Sequence, residues 1–304
     1  MSGFTAQDVP EQTGKTFLVT GANTGLGYEA SKVLAAHGGR VLLACRSKGK
    51  AETAMARIRA EVPGADLDFV PLDQADLASV RACAAQAMAE PRLDVLVNNA
   101  GVMVPPLERT AQGHELQFGV NHLAPFALTG LLLPKLAETP GARVVITASL
   151  AHKGGNIDWD DIDAHRSYSR TQRYSDSKLM NLLHLFELDR RLRASGSPVM
   201  AAACHPGFAK TDLGRHSGPF RVLFPLVGWL FNNAAQGAWP TLQAAAWPGT
   251  EPGQFYGPQS MGGASGVSGV AERTAQARDP MLARRLWDIS ADMTGVDYGL
   301  RPVD

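Results

Sequence analysis

Apolar residues fall in short runs at 16–20, 40–45, 67–72, 93–97, 142–148 and 199–204, and each gap between runs is long enough for a helix. Runs of that length read as buried strands, and strands alternating with helix-length segments predict βαβ units. The expected fold class is therefore α/β, a doubly wound parallel sheet with helices on both faces. A long helical pattern runs over 113–137. A second begins near Lys178, where Leu179, Leu182, Leu183, Leu185, Phe186, Leu188 and Leu192 are spaced to bury one face. A further amphipathic helix is expected at 280–293. Residues 214–233 break the pattern. Phe220, Val222, Leu223, Phe224, Leu226, Val227, Trp229, Leu230 and Phe231 make that stretch apolar on nearly every side, with Pro225 interrupting it. It is too short to span a bilayer, and an all-round apolar stretch needs a partner. A helical lid over a substrate is the expectation. No internal repeat or long linker divides the chain. One domain over 1–304 is expected, with a cofactor and catalytic core at 14–210, a lid and substrate segment at 211–250, and a C-terminal strand and helix at 251–304.

Composition narrows the function classes. Lysine plus arginine equals aspartate plus glutamate, at 29 each, so charge gives no reason to expect nucleic acid or an anionic membrane as partner. Cys45, Cys83 and Cys204 are odd in number and far apart. They form no CxxC pair, so neither a disulfide framework nor a metal site is expected. The first residues are polar and mixed, with no secretory core, and no run of about 18 apolar residues predicts a transmembrane helix. A reduced, cytoplasmic setting is the expectation.

The first strand runs into Thr20-Gly21-Ala22-Asn23-Thr24-Gly25-Leu26-Gly27, which opens the first helix. Glycines there let the chain turn tightly and let a pyrophosphate approach both backbone and helix N-terminus. The end of the second strand selects the dinucleotide. An acid would bond the ribose hydroxyl of NAD, whereas arginine suits the 2′-phosphate of NADP. The strand ends Ala44-Cys45-Arg46, so NADP (NADPH) is expected over NAD. Asp73, just past the third strand, would either accept from the adenine amine or cap the next helix.

Polar residues gather at the other strand ends. Asn98-Asn99-Ala100-Gly101 closes the fourth strand, Ser149 the fifth, and Pro206-Gly207 the sixth, with Thr211 beyond. Tyr174 and Lys178 share a helix face at i and i+4. A free tyrosine has a pKa of about 10. A fixed cation beside it would lower that value, and such a phenol can exchange a proton with a carbonyl oxygen.

In this order the motifs resemble the short-chain dehydrogenase/reductase superfamily: the glycine loop, Asn-Asn-Ala-Gly, Ser149, Tyr-x-x-x-Lys and Pro-Gly, over most of the chain. Residues 41–46, 119–123 and 283–288, and the long spacer from Ser149 to Tyr174, are similar to its retinol-dehydrogenase-like branch. The resemblance implies a single Rossmann-type domain that interconverts an alcohol and a carbonyl on a small, mostly apolar substrate. It implies Tyr174 as general acid/base. Lys178 would lower the Tyr174 pKa and bond the nicotinamide ribose, and Ser149 would donate to the substrate oxygen. Asn121 would support a relay water. It places Gly21, Asn23, Thr24, Gly25, Leu26, Gly27, Arg46, Asp73, Asn99, Ala100, Gly101, Pro206, Gly207 and Thr211 around the cofactor. Family members are often dimers or tetramers, so a homo-oligomer stays open. Two other uses of the fold compete: a catalytically silent nucleotide sensor, and a membrane-surface retinoid or lipid aldehyde reductase anchored through 214–233.

Other candidates are set aside. His152 near Ser149 lacks the G-x-S-x-G elbow of a hydrolase. His114-Glu115 lacks the second histidine of H-E-x-x-H, and Cys204-His205 lacks further ligand spacing. Tyr168 has Gln172, not lysine, four residues on, and is expected to be a loop aromatic without a role. Pro125 falls inside the 113–137 helix. It has no amide, so it is expected to leave the carbonyl of Asn121, four residues back, to an ordered water and to bend the helix.

Overall fold

The computed structural model describes residues 3–208 and 232–303. The expected 214–233 lid, apart from Asn232 and Asn233, and Thr211 lie outside the described residues. Among these residues the strands are β1 (Thr16–Thr20), β2 (Arg40–Cys45), β3 (Leu67–Pro71), β4 (Val95–Asn98), β5 (Arg143–Thr147), β6 (Met200–Cys204), β7 (Phe255–Ser260) and β8 (Ser265–Val270). They form one sheet in the order β3-β2-β1-β4-β5-β6-β7-β8. Strands β1 to β7 are parallel and β8 is antiparallel to β7. The order reverses between β1 and β4, which opens a crevice at their carboxyl ends.

Strands β1, β2, β4, β5 and β6 read as near-continuous apolar runs because both faces are covered. Phe17 and Val19 of β1 point into one core layer with Leu34, Val41, Leu43, Ile58 and Leu242. Leu18, between them, points into the other with Leu42, Leu96, Ile146, Leu128 and Leu182. Helices α1 (Gly25–Ala36), α2 (Lys48–Glu61) and α6 (Trp239–Ala246) supply the first layer. Helices α3 (Leu77–Met88), α4 (Leu116–Ala137), α5 (Arg170–Ala194) and α7 (Pro280–Thr294) supply the second.

Helix α7 follows the expected amphipathic pattern. Asp279 caps it on Met281 N and Leu282 N, Pro280 opens it, and Gly295 (φ 62) ends it. Its buried stripe, Ala283, Leu286, Trp287, Ser290 and Thr294, lies on α5. The chain beyond then returns to α4. The Tyr298 hydroxyl donates to Phe126 O at 2.6 Å, and its ring lies where a Cβ on Gly130 would stand, 2.4 Å from Cε1.

Three elements differ from the reading of the sequence. One strand was expected after 251, but two are present. Ser265-Gly266-Val267-Ser268-Gly269-Val270 carries no apolar run, and it becomes β8 through pairing with β7 and a bridge to Phe4. The 113–137 helix begins at Leu116. By length and hydropathy α4 would suffice to cross a membrane, but 89% of that apolar window is buried inside the fold, as for a core helix. Lastly, α4 widens into a π turn over Gly119–Leu123, where Ala124 N–H donates to Gly119 O. Pro125 follows directly and has no amide to offer, either to Val120 O in the π register or to Asn121 O in the α register. Val120 O accepts from Gln74 Nε2 at 2.7 Å.

Candidate active site

Thr20, a hydroxyl closing an apolar strand, organises the carboxyl edge. Its Oγ1 accepts from Asn99 N at 3.0 Å and Ala100 N at 2.9 Å, and its carbonyl accepts from Asn99 Nδ2 at 2.8 Å. The Asn-Asn-Ala-Gly turn is thereby fixed against the glycine loop. Gly21 adopts φ +68 and lies so close to Ala100 that a Cβ would stand 3.0 Å from the Ala100 Cβ. A Cβ on Gly27 would meet Gly21 O and Asn99 Nδ2, each at 2.6 Å. Gly27 therefore permits close packing of α1 behind the loop. Asn98 turns inward to Thr129 Oγ1 at 2.9 Å.

A cavity of about 440 Å³ follows this edge. Gly21, Asn23, Thr24, Gly25, Leu26, Arg46, Asp73, Gln74, Asn99, Ala100, Gly101 and Val102 are among its lining residues. Its floor is the backbone of glycine loops beside a helix N-terminus, the chemistry a pyrophosphate requires, so the residues present fit a dinucleotide. At its rim Arg46 stands 3.9 Å from the Asp73 carboxylate, with side chains 79% and 38% exposed. That pair is too open to hold the guanidinium firmly. Asp73 Oδ1 also accepts from Ala75 N at 3.0 Å, whereas the cap of α3 is Asp76. A second cavity, of about 580 Å³, lies at the opposite edge by Lys15, Arg40, Asp66, Glu90 and Arg92. There Arg40 pairs with Asp66 and Glu90.

The reactive residues lie on the next strands along. Asn121 is braced on three sides: Oδ1 accepts from Val102 N (2.8 Å), and Nδ2 donates to Val102 O (2.9 Å) and Ser177 Oγ (3.0 Å). Ser177, missed in the sequence because it lies between the two motif positions, also donates to Tyr174 O at 2.8 Å. Lys178 donates to Thr147 O at 3.2 Å, with Nζ 5.7 Å from the Tyr174 ring centroid. A Cβ on Gly101 would stand 3.0 Å from Asn121 Oδ1 and 3.7 Å from Lys178 Nζ, so this glycine joins the cavity to the reactive group. Ser149 Oγ accepts from Ala151 N at 3.1 Å. Pro206 is half-buried, and Gly207 (φ +70) packs on Ala264 O.

Burial governs the electrostatics. It pushes the Lys178 ammonium down to about 8, with the Cys204 thiol opposing. It also pushes the Tyr174 phenol up, with a hydrogen bond from the Ser149 side chain opposing. The expected lowering of Tyr174 by Lys178 is not seen, and its phenol lies above the usual tyrosine value. Desolvation disfavours the phenolate as it disfavours the cation.

The remaining candidates have local partners. His152 Nδ1 lies 2.7 Å from the carbonyl of Ser149, not its hydroxyl. His114 pairs with Asp163 at 2.9 Å. Glu115 accepts from Gln117 N and Phe118 N. Tyr168 has more to do than expected, since its hydroxyl donates to Pro105 O at 2.9 Å and accepts from Gln117 Nε2 at 3.3 Å.

A doubly wound sheet with a glycine-floored cavity at its switch point, beside a Ser, Tyr, Lys and Asn cluster, defines a nicotinamide-dinucleotide oxidoreductase. Residues 15–220 match the model of the short chain dehydrogenase family, and the chain belongs to that family. It is 40% identical to human (Homo sapiens) retinol dehydrogenase 14, over 93% of this chain and 87% of that one. The crystal structure of an uncharacterized protein from Mycobacterium Paratuberculosis is 38% identical, with a TM-score of 0.82 over 99% of this chain and 100% of that one. A blue fluorescent protein from a metagenomic library, solved in complex with NADPH, is 27% identical, with a TM-score of 0.62 over 80% of this chain and 95% of that one. The chain is thus an oxidoreductase of alcohols and carbonyls that uses a nicotinamide cofactor and a small-molecule substrate.

Proposed function

We propose that the protein is an NADP-dependent enzyme that interconverts an alcohol and an aldehyde or ketone on a small, mostly apolar molecule, with Tyr174 as general acid/base. The observation that carries this reading is the placement of Ser149 and Lys178 on either side of the half-buried Tyr174, with a hydrogen bond from the Ser149 side chain to its phenol and Lys178 Nζ over its ring. The bound dinucleotide supplies or accepts the hydride. Burial keeps Tyr174 protonated at neutral pH, the state needed to give a proton to a developing alkoxide. Ser149 Oγ accepts from Ala151 N and has one hydroxyl proton, which it donates to the substrate oxygen as charge develops there. Lys178, with a pKa near 8, is able to return a proton from the side of Asn121. Asn121 holds the loop after β4 in place while this happens.

Choice of NADP rests on Arg46, whose loosely held guanidinium suits a 2′-phosphate, and on the absence of an acid at the end of β2. The NADPH bound to the blue fluorescent protein relative agrees with this. Asp73 retains one carboxylate oxygen for an adenine amine. The cytoplasm is the proposed compartment, supported by three buried free thiols. Co-sedimentation of the protein with lipid vesicles would count against it.

The test is a screen of initial rates over aldehydes, ketones and retinoids with NADPH and NADH. NADPH should be preferred at least tenfold, the effect of about one lost charged hydrogen bond. Arg46→Asp should move the preference toward NADH. Tyr174→Phe should lower kcat by roughly a hundredfold or more, the scale of general acid catalysis, while NADPH still binds. Equal efficiency with both cofactors overturns the NADP assignment. Retention of most activity by Tyr174→Phe overturns the acid/base assignment.

A further inference from the structure

Among the described residues, the non-glycine positions with positive φ are Val104 (φ 48), Ala164 (φ 52) and Met261 (φ 50). All three sit on loops at the carboxyl edge of the sheet, after β4, between β5 and α5, and after β7. A β-branched residue in that region is strained, and such strain persists only where the surroundings over-determine it.

Val104 is over-determined. Its N–H donates to Gln117 Oε1 at 3.0 Å. Gln117 is fully buried, and its Nε2 donates to Arg170 O at 3.0 Å and to the Tyr168 hydroxyl at 3.3 Å. Tyr168 in turn donates to Pro105 O at 2.9 Å. Burial pushes its phenol up to about 12, so it remains a donor across the working pH range. The facing loop is tied by the same segment: Arg109 donates to Ala164 O at 2.8 Å, and the Asp163 carboxylate holds His114 and Glu115 N. The loop after β4 is thus fastened to the start of α5, one turn ahead of Tyr174.

What this knot presents is apolar. Val102, Met103 and Val104 are half-exposed, directly after the glycine that touches Asn121 and Lys178. A loop that only had to turn would carry glycine at the positive-φ position. Valine in its place puts a stiff branched side chain three residues past Gly101, on the loop fastened to the start of α5. We propose that Val104 is the size-selecting wall of the carbonyl cleft, held in its left-handed conformation by the Gln117–Tyr168 clamp, with Tyr168 as positioning residue for bulky apolar aldehydes and ketones. This rests on the reaction proposed above.

The test uses the full chain with NADPH and straight-chain aldehydes from three to ten carbons, measuring kcat and KM for each, the Kd for NADPH, and the thermal midpoint. Loss of one buried hydroxyl in Tyr168→Phe should raise KM for the long aldehydes about tenfold, with a smaller change in kcat and in short-chain KM. Val104→Gly reaches the same backbone conformation without strain, so it should fold and lose the dependence of KM on chain length. Both variants should bind NADPH as the unmodified protein does. An unchanged chain-length dependence in both variants overturns this inference alone, as does a uniform loss of kcat across the series. No turnover of any aldehyde or ketone by the unmodified protein overturns it together with the proposed reaction.

Discussion

Lys178 combines full burial with a charge, and the two oppose each other. Its folded pKa of about 8 lies below the usual lysine value of 10.5. Below pH 8 the fold carries the whole penalty of a buried ammonium, about 3 kcal/mol. That penalty fades as pH rises through 10.5, where the unfolded chain loses the same proton. Stability should therefore climb between pH 8 and 10.5 at this site. Lys178→Met should raise the thermal midpoint at pH 7 and flatten that climb while abolishing turnover. A lower midpoint would show that the bond to Thr147 O outweighs desolvation. The Tyr174 and Lys178 pairing was legible in the sequence, since i, i+4 spacing places both on one helix face. The direction of the tyrosine shift was not. It depends on how deeply the helix start is buried, and no local pattern encodes that depth.

Helix α4 illustrates the same boundary one level up. Pro125 marks an interruption in the sequence, but the carbonyl it deprives depends on whether the turn is α or π. In the π turn Val120 O is met by Gln74, distant in sequence and unremarkable in pattern. The two positions should therefore couple. Gln74→Leu leaves a buried carbonyl unpaired and should cost about 1–3 kcal/mol. In a Pro125→Ala background an amide is restored to the turn, and the same change should cost clearly less. A double-mutant cycle by chemical denaturation measures the difference. Strict additivity would mean that Gln74 and Pro125 act independently. Strands β1 to β6 and the two long helices were legible because apolar runs fix burial. β8 was not, because a Ser-Gly-Val repeat becomes a strand only when β7 and Phe4 offer it partners.

Across the whole molecule, burial of neutral histidines sets an acid limit. His184 and His205 are each held at about 3, against the usual 6.5, by desolvation. Both stay neutral in the fold while the unfolded chain takes up protons, so stability is intact above pH 6.5 and falls as pH drops toward 3. The slope contributed by the pair should approach roughly 2.7 kcal/mol per pH unit at its steepest. Thermal midpoints measured from pH 7 to 4 test this, and a flat profile would contradict it. The tail beyond α7 has a different global consequence. Phe126 O and the Tyr298 hydroxyl are 172 residues apart, and the groove at Gly130 is shaped for that ring. At about 5–20 residues per second, a ribosome makes α4 roughly ten to thirty seconds before its last partner exists. For that interval the nascent chain carries an open apolar seam, and chaperone dependence during synthesis should be set by the emergence of Tyr298.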